Sequence, residues 1–354
     1  MTFPLFLSNY SKSHILVFFV LFSCNTEKSK LTNPENISNQ TSKMIWIPGG
    51  TFSMGSNKQS NTNDALPYQF VKIDGFWMDE TEVTNAQFEK FCKETGYITV
   101  AERKINWDEL RELVPPGTPK PSEDDLQPGS LVFLPPSIPV PLDSNTRWWK
   151  WCKGANWRHP FGPDSSIKGK ENHPVVHIAF EDAQAYAKWA NKRLPTEAEW
   201  EFAARGGLQQ QQYAWGNELN PNGAFLANYF QGDFPYNNTH DDGYLLTAPV
   251  KSFPKNPYGL YDMIGNVWEL CTDFYEVPEF CESCCHSAPT KINPIGPSKT
   301  FDPLDSNAVK HVIKGGSFLC SIEYCSNFKP SGRQGISYDS GMSHIGFRCV
   351  KSKK

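Results

Sequence analysis

From Met44 onward, apolar and polar positions follow each other in short runs that Gly or Pro interrupts. Met44-Ile45-Trp46-Ile47, a Pro48-Gly49 turn and a second run to Gly55 predict two short strands. Phe70 to Asp79 alternates apolar and polar residues and predicts one further strand. Thr84 and Gln87 then form the signature of a capping box. The helix they open places Phe88, Phe91 and Cys92 on one face and stops at Gly96, which makes Cys92 a buried core thiol. His173 to Ile178 reads as a strand, and the helix after it turns Ala183, Tyr186, Ala187 and Ala190 inward. Thr196 and Glu199 box the start of another helix. Short strands, few helices and long irregular stretches give an α+β class. The chain carries 25 Gly and 28 Pro with no repeat period, which fits low regular secondary structure.

The first residues carry a different pattern. Lys12 and His14 precede an apolar run, Ile15 to Phe22, too short to span a bilayer. It reads as the core of an export signal, residues 1–24. Leu21-Phe22-Ser23-Cys24 resembles a bacterial lipobox, which would make Cys24 a lipidated N-terminus at the cell envelope, periplasmic or surface-facing. An ordinary signal peptide with an incidental cysteine is the alternative. Residues 25–43 are polar and nearly free of aromatics, a flexible tether, and 44–354 form the domain, expected as a monomer. Export would place nine further cysteines in an oxidising compartment, an odd number that leaves at least one thiol outside disulfides.

Composition excludes some functions. A net charge of −4 gives no broad attraction to nucleic acid. The basic and aromatic run Arg147-Trp148-Trp149-Lys150-Trp151 therefore reads as packing rather than base stacking. Residues 104–141, rich in Pro, Ser and charge, read as a surface excursion that decorates the domain. His173 and His177 lack ligand spacing and read as hydrogen-bonded structural histidines. Glu197 and Glu201, at helical spacing, read as a solvated or salt-bridged face rather than an acid–base pair. Cys281, Cys284, Cys285 and His286 hint at zinc, but in an exported chain local disulfides are favoured.

Two features carry candidate chemistry. Cys320 and Cys325 stand behind Gly315-Gly316-Ser317 at a spacing unlike the common redox or zinc motifs. Folded back, the sulfurs could form a disulfide or clamp one soft ion, and two thiolates without further cysteines lean toward Cu(I). Asn228-Tyr229, Asp242-Gly243-Tyr244 and the stretch Asp262 to Glu269 place hard oxygen donors on irregular backbone, as calcium requires, without EF-hand spacing.

The stretch Gly315 to Cys349 resembles the C-terminal signature of the formylglycine-generating enzymes (sulfatase-modifying factors): G-G-S-x-x-C-x-x-x-x-C, then Arg333, Asp339 and Gly346-Phe347-Arg348-Cys349. The resemblance recurs in I-P-x-G-x-F-x-M-G, E-V-T-N, G-A-N-W-R-H-P and R-L-P-T-E-A-E-W-E. It implies one compact domain of that fold, related to the C-type-lectin arrangement. It implies an oxygen-dependent oxidase that converts a cysteine in a C-x-P-x-R segment of a sulfatase polypeptide to Cα-formylglycine. Cys320 and Cys325 would hold Cu(I), Ser317 would line the oxygen pocket, and Trp268 and Arg333 the peptide groove. A first Ca2+ would use Asn228, Asp242 and the carbonyls of Tyr229 and Tyr244. A second would use Asp262, Glu269 and the carbonyls of Gly265 and Val267. The chain departs from the family at His344 and Tyr338, where Asn and Pro are common. The cysteine that pairs with G-F-R-C in vertebrate members is replaced by Ala187, so Cys349 is expected to be a buried free thiol. The alternative is a non-catalytic lipoprotein of the same superfamily serving a motility or secretion machine; such relatives lack the cysteine pair. The iron-dependent sulfoxide synthases carry an extra helical domain and a His motif that are absent here.

Overall fold

A computed structural model describes residues 43–353 apart from 57–64, 113, 115 and 278–288. Cys24, the tether and the Cys281–Cys285 cluster with His286 therefore lie outside the described residues.

Local sequence sets the helices. Thr84 Oγ1 accepts from Gln87 N, Gln87 Oε1 accepts from Thr84 N, and the helix Asn85–Thr95 ends on Gly96 at φ 68°. Its buried face, Phe88, Phe91 and Cys92, packs on Phe180–Trp189. There Phe88 stacks on Tyr186 at 5.8 Å, and Phe91 meets the same ring edge-on at 5.6 Å. Thr196 and Glu199 cap Glu197–Arg205, whose Trp200 is fully buried. Glu197 and Glu201 are buried, not solvated. Arg333 and Lys314 hold Glu197, and Lys314 and Arg205 hold Glu201.

The strands assemble from distant parts of the chain. Met44–Ile47, Phe76–Asp79 and Val350–Ser352 form an antiparallel sheet that brings the two ends of the described chain together. Gly50–Met54, Gln69–Ile73 and Lys291–Ile292 form a second. The run Phe70 to Asp79 is thus two strands in two sheets, not one. Asp74-Gly75 separates them, and the Trp46 ring lies over Gly75, where a Cβ would stand 2.4 Å from Trp46 Cζ2. The largest sheet runs Arg333–Ser337, Lys310–Lys314, Trp268–Phe274 and Ile345–Gly346. His173 to Ile178 is irregular rather than a strand: Pro174 cannot donate to a ladder, and His177 sits at φ 61°.

The 104–141 excursion is more than decoration. Within it Gly129–Phe133 pairs with Trp149–Lys153, and the hairpin is tied to the C-terminal segment. Ser130 Oγ donates to Gly341 O at 2.7 Å, and Ser343 N to Leu131 O at 3.1 Å. His177 anchors the same junction, Nδ1 2.8 Å from Ser130 Oγ and Nε2 2.9 Å from Pro160 O. Burial pushes His177 down to about 4, so it is a neutral structural imidazole.

Candidate active site

The strand Lys310–Lys314 ends in Gly315 and Gly316, both at positive φ, 93° and 74°. A Cβ on Gly316 would lie 2.8 Å from Phe328 Cα, so the turn demands glycine for both dihedral and space. The chain then folds on itself. Cys320 N donates to Ser317 O, and Cys325 N to Ser321 O. This brings the two sulfurs to 2.9 Å, as free thiols. Cys320 is buried and Cys325 half-buried, so the pair opens outward through Cys325. Burial pushes the Cys320 thiol well up, and the adjacent Cys325 raises it further, while the buried Ser317 hydroxyl opposes that rise. Two adjacent thiolates here need a cation between them. Tyr324 lies near the pair, its ring stacked on Phe234 at 4.8 Å and edge-on to Trp148 at 5.3 Å. Among the described residues no three His, Cys, Asp or Glu side chains form a metal-holding group. Among the described residues the pair therefore offers two soft donors, a set that fits a soft monovalent ion better than zinc.

The oxygen-rich loops meet directly behind this turn. Asn266 N donates to Asn228 O at 2.8 Å, Gly265 N to Gly315 O, Phe318 N to Asn266 O, and Phe230 N to Cys320 O. Asn228 Oδ1 is buried without any hydrogen-bond partner. Asp242 Oδ2 accepts from Tyr229 N at 3.1 Å, and Oδ1 from Tyr244 N at 2.9 Å. The Gln231 amide bridges the Tyr229 carbonyl and the Asp242 carboxylate. An orphaned amide oxygen beside a carboxylate that burial pushes up fits a hard cation at Asn228, Tyr229, Asp242 and Tyr244.

The second loop is committed differently. Both Glu269 oxygens lie 2.7 Å from Arg348, and Oε2 also accepts from Trp200 Nε1 at 2.8 Å. Asp262, at φ 54°, accepts from Lys251 N and is pushed up to about 6, first by burial. Glu82, beside them, accepts from Asn266 Nδ2, while its Oε2 makes no hydrogen bond and stands 3.9 Å from Arg348 Nη2. Burial and the neighbouring Asp262 hold Glu82 well above the carboxylate range. Asp262, Gly265, Val267 and Glu269 lie on one stretch, but Arg348 already neutralises Glu269, so this set fits a second cation less well than the first.

Two expected groove residues are placed otherwise. Arg333 is 2 % exposed, its guanidinium paired with Glu197 at 2.8 Å and donating to Glu276 O. Trp268 is 1 % exposed and packs in the same apolar cluster as Cys320. Neither presents a surface to a peptide, because each side chain falls on the inward side of its strand. Sequence reasoning passed over Glu82, Gln231, Tyr324 and Arg348. Each sits within or beside a recognised motif, yet except for Gln231 its partners lie far away in the chain.

Residues 29–353 match the model of the family described as sulfatase-modifying factor enzyme 1-like domain. The chain is 44 % identical over 313 residues to the formylglycine-generating enzyme of Mycobacterium tuberculosis, covering 87 % of this chain and 97 % of that one. It is 43 % identical over 309 residues to the mouse protein of the same name, covering 87 % and 74 %. A bovine protein named inactive Cα-formylglycine-generating enzyme 2 is 34 % identical over 315 residues, covering 88 % of each chain. Among solved structures, PvdO from Pseudomonas aeruginosa matches with a TM-score of 0.55 at 20 % identity, covering 88 % of this chain and 94 % of that one, a likeness of fold. With its paired thiols, glycine turn and G-F-R-C terminus in place, the chain belongs to the sulfatase-modifying factor enzyme 1-like family.

Proposed function

We propose that this protein is a formylglycine-generating oxidase: it takes a cysteine in a C-x-P-x-R segment of a sulfatase polypeptide and, with dioxygen and a thiol reductant, converts the side-chain CH2–SH to an aldehyde on Cα. The sulfur leaves as sulfide, while two electrons from that carbon and two from external thiols, released as a disulfide, reduce dioxygen. The observation that carries the reading is the Cys320–Cys325 contact at 2.9 Å, in a turn that two obligatory glycines hold open. Cys320 and Cys325 would hold Cu(I), which supplies a soft centre for a third thiolate and an electron source for oxygen. The chain's own part is positional. Gly315 and Gly316 set the turn, buried Ser317 lies against the Cys320 thiol, and Tyr324 stacks on Phe234 beside it. Half-buried Cys325 leaves the approach for the substrate sulfur. Calcium at Asn228, Tyr229, Asp242 and Tyr244 would lock the loop that hydrogen-bonds Cys320, with Asp262, Gly265, Val267 and Glu269 as a weaker second set. We further read Cys24 as a lipid anchor that holds the enzyme at the bacterial envelope.

The non-catalytic alternative is disfavoured by the retained thiol pair. The test is the purified protein with Cu(I), oxygen, a thiol reductant and a C-x-P-x-R peptide, followed by mass spectrometry. Conversion of the peptide cysteine to formylglycine is expected. Cys320→Ser and Cys325→Ser should each abolish it while circular dichroism and melting stay native. Near-normal turnover in either variant refutes the clamp, and unfolding of either indicates a structural disulfide instead.

A further inference from the structure

We propose that the outer face of the Met44–Ile47, Phe76–Asp79, Val350–Ser352 sheet rests on an anionic bilayer surface. Directly paired residues of antiparallel strands point to the same side. Trp46 pairs with Trp77, and Trp77 with Lys351, so one row across the sheet reads Trp, Trp, Lys. The opposite row, Ile45, Met78 and Val350, faces the core, with Met78 and Val350 fully buried. On the outer side Trp77 is 41 % exposed, and its ring meets Trp46 at 5.3 Å. Lys353 Nζ stands 5.8 Å from the Trp46 ring centroid, continuing the row.

Aromatic rings flanked by lysines suit the headgroup layer, where the ring takes the apolar boundary and the ammonium the lipid phosphates. Asp74, exposed in the adjoining cleft, accepts from Asn293 Nδ2 at 2.8 Å and leaves one negative charge beside the row; the other nearby carboxylates are occupied. Lys192 holds Asp79, Lys43 and Lys251 hold Glu80, and Arg193 holds Glu199. Lys351 and Lys353 have no carboxylate within 4.0 Å among the described residues. A cleft of about 710 Å³ adjoins the row, lined by Phe76, Ser352, Lys353 and Ile295, the last 76 % exposed.

Chain connectivity favours a membrane as the occupant. Met44–Ile47 is an edge strand of this sheet, so the tether and Cys24 enter through Lys43, whose side chain is 71 % exposed. An anchor at Cys24 would thus be tied to the chain at the edge of this same sheet. The proposal rests on the lipid-anchor reading, and the experiment separates the two.

Full-length protein purified from membranes is reconstituted into phosphatidylcholine vesicles with about a quarter phosphatidylglycerol, and separately into detergent. A membrane-impermeant amine reagent followed by peptide mass spectrometry then reports each lysine. Lys351 and Lys353 should be labelled several-fold less on the anionic vesicles than in detergent, whereas Lys168, exposed on a loop, should not change. Each lysine near an anionic surface is worth roughly a fivefold preference. K351E/K353E should therefore weaken docking by about 25-fold and restore hydroxyl-radical labelling of Trp77, which lies in the same row and is exposed. Equal labelling of Lys351, Lys353 and Lys168 in both settings overturns the proposal, as does a K351E/K353E protein that keeps Trp77 protected. The N-terminal peptide's mass reports acylation independently. If it carries no acyl chain the anchor reading falls, and the same labelling after adding the protein to the vesicles still decides the face.

Discussion

Calcium should stabilise this protein chiefly through the Asn228 loop, and Asn228→Ala is the discriminating change. Metal-free, Asn228 Oδ1 is a buried acceptor with no donor, which costs about 1–3 kcal/mol. Its Nδ2 donates to Leu246 O at 2.9 Å, a bond worth about 1 kcal/mol. Truncation removes both, so in chelator the variant should melt within a few degrees of the parent. Calcium changes the comparison. At a free concentration about 100 times its dissociation constant it adds about 2.7 kcal/mol to a state that alone binds it. For a domain of this size that is an upward melting shift of about 4 °C. The parent should show this shift between chelator and calcium, and Asn228→Ala should lose most of it. Glu269→Gln should retain most of it, because both Glu269 oxygens are already taken by Arg348 and Trp200. That variant should instead melt lower in both conditions, since it leaves Arg348 buried beside a neutral partner. Differential scanning fluorimetry of the three proteins suffices. A parent melt indifferent to chelator, or an Asn228→Ala shift equal to the parent's, refutes the assignment.

Further outcomes follow from other residues. Cys349, fully buried in the same apolar cluster as Ala187, should appear as a free thiol in non-reducing peptide maps. Cys349→Ala should cost only about 1–2 kcal/mol and keep activity, so a cross-linked Cys349 peptide from active protein contradicts this. Asp182 is fully buried, accepts from Ala179 N, Val100 N and Tyr97 Oη, and is pushed up to about 6, first by burial. A carboxyl raised in the fold contributes stability below its unfolded value, near 4, and loses it as pH rises through about 6. Asp182→Asn cannot ionise, so its melting temperature should rise relative to the parent's between about pH 4 and pH 7; a flat difference removes the titration. Cys24→Ser should release the protein from the membrane fraction to the soluble one on cell fractionation, and retention would end the lipobox reading.

Local elements were legible wherever neighbouring residues decide them. The capping boxes at Thr84 and Thr196, the stop at Gly96 and the buried Cys92 follow from contacts within one helix turn. The cysteine motif was equally legible, because Gly315, Gly316, Cys320 and Cys325 fall within a few residues of each other. Reading failed where partners are remote. Phe70 to Asp79 has a continuous strand pattern, but it divides because Gly75 must admit the Trp46 ring. The 104–141 excursion looks like decoration by composition, but its hairpin donates to and accepts from 341–343, more than 200 residues away.

Sequence by itself determined the family, the helices with their caps, the paired thiols and the types of oxygen donor, since all of these are carried by short spacings. Tertiary structure decided which donors are free. It gave Glu269 to Arg348, left Asn228 Oδ1 without a partner, and turned Arg333 inward to Glu197. Only there do strands from both ends of the chain place Trp46, Trp77 and Lys351 in one row. The physical reason is range. Capping and turn chemistry act over three or four residues, whereas desolvation and charge pairing depend on every element packed around a group. In this fold those elements come from opposite ends of the sequence.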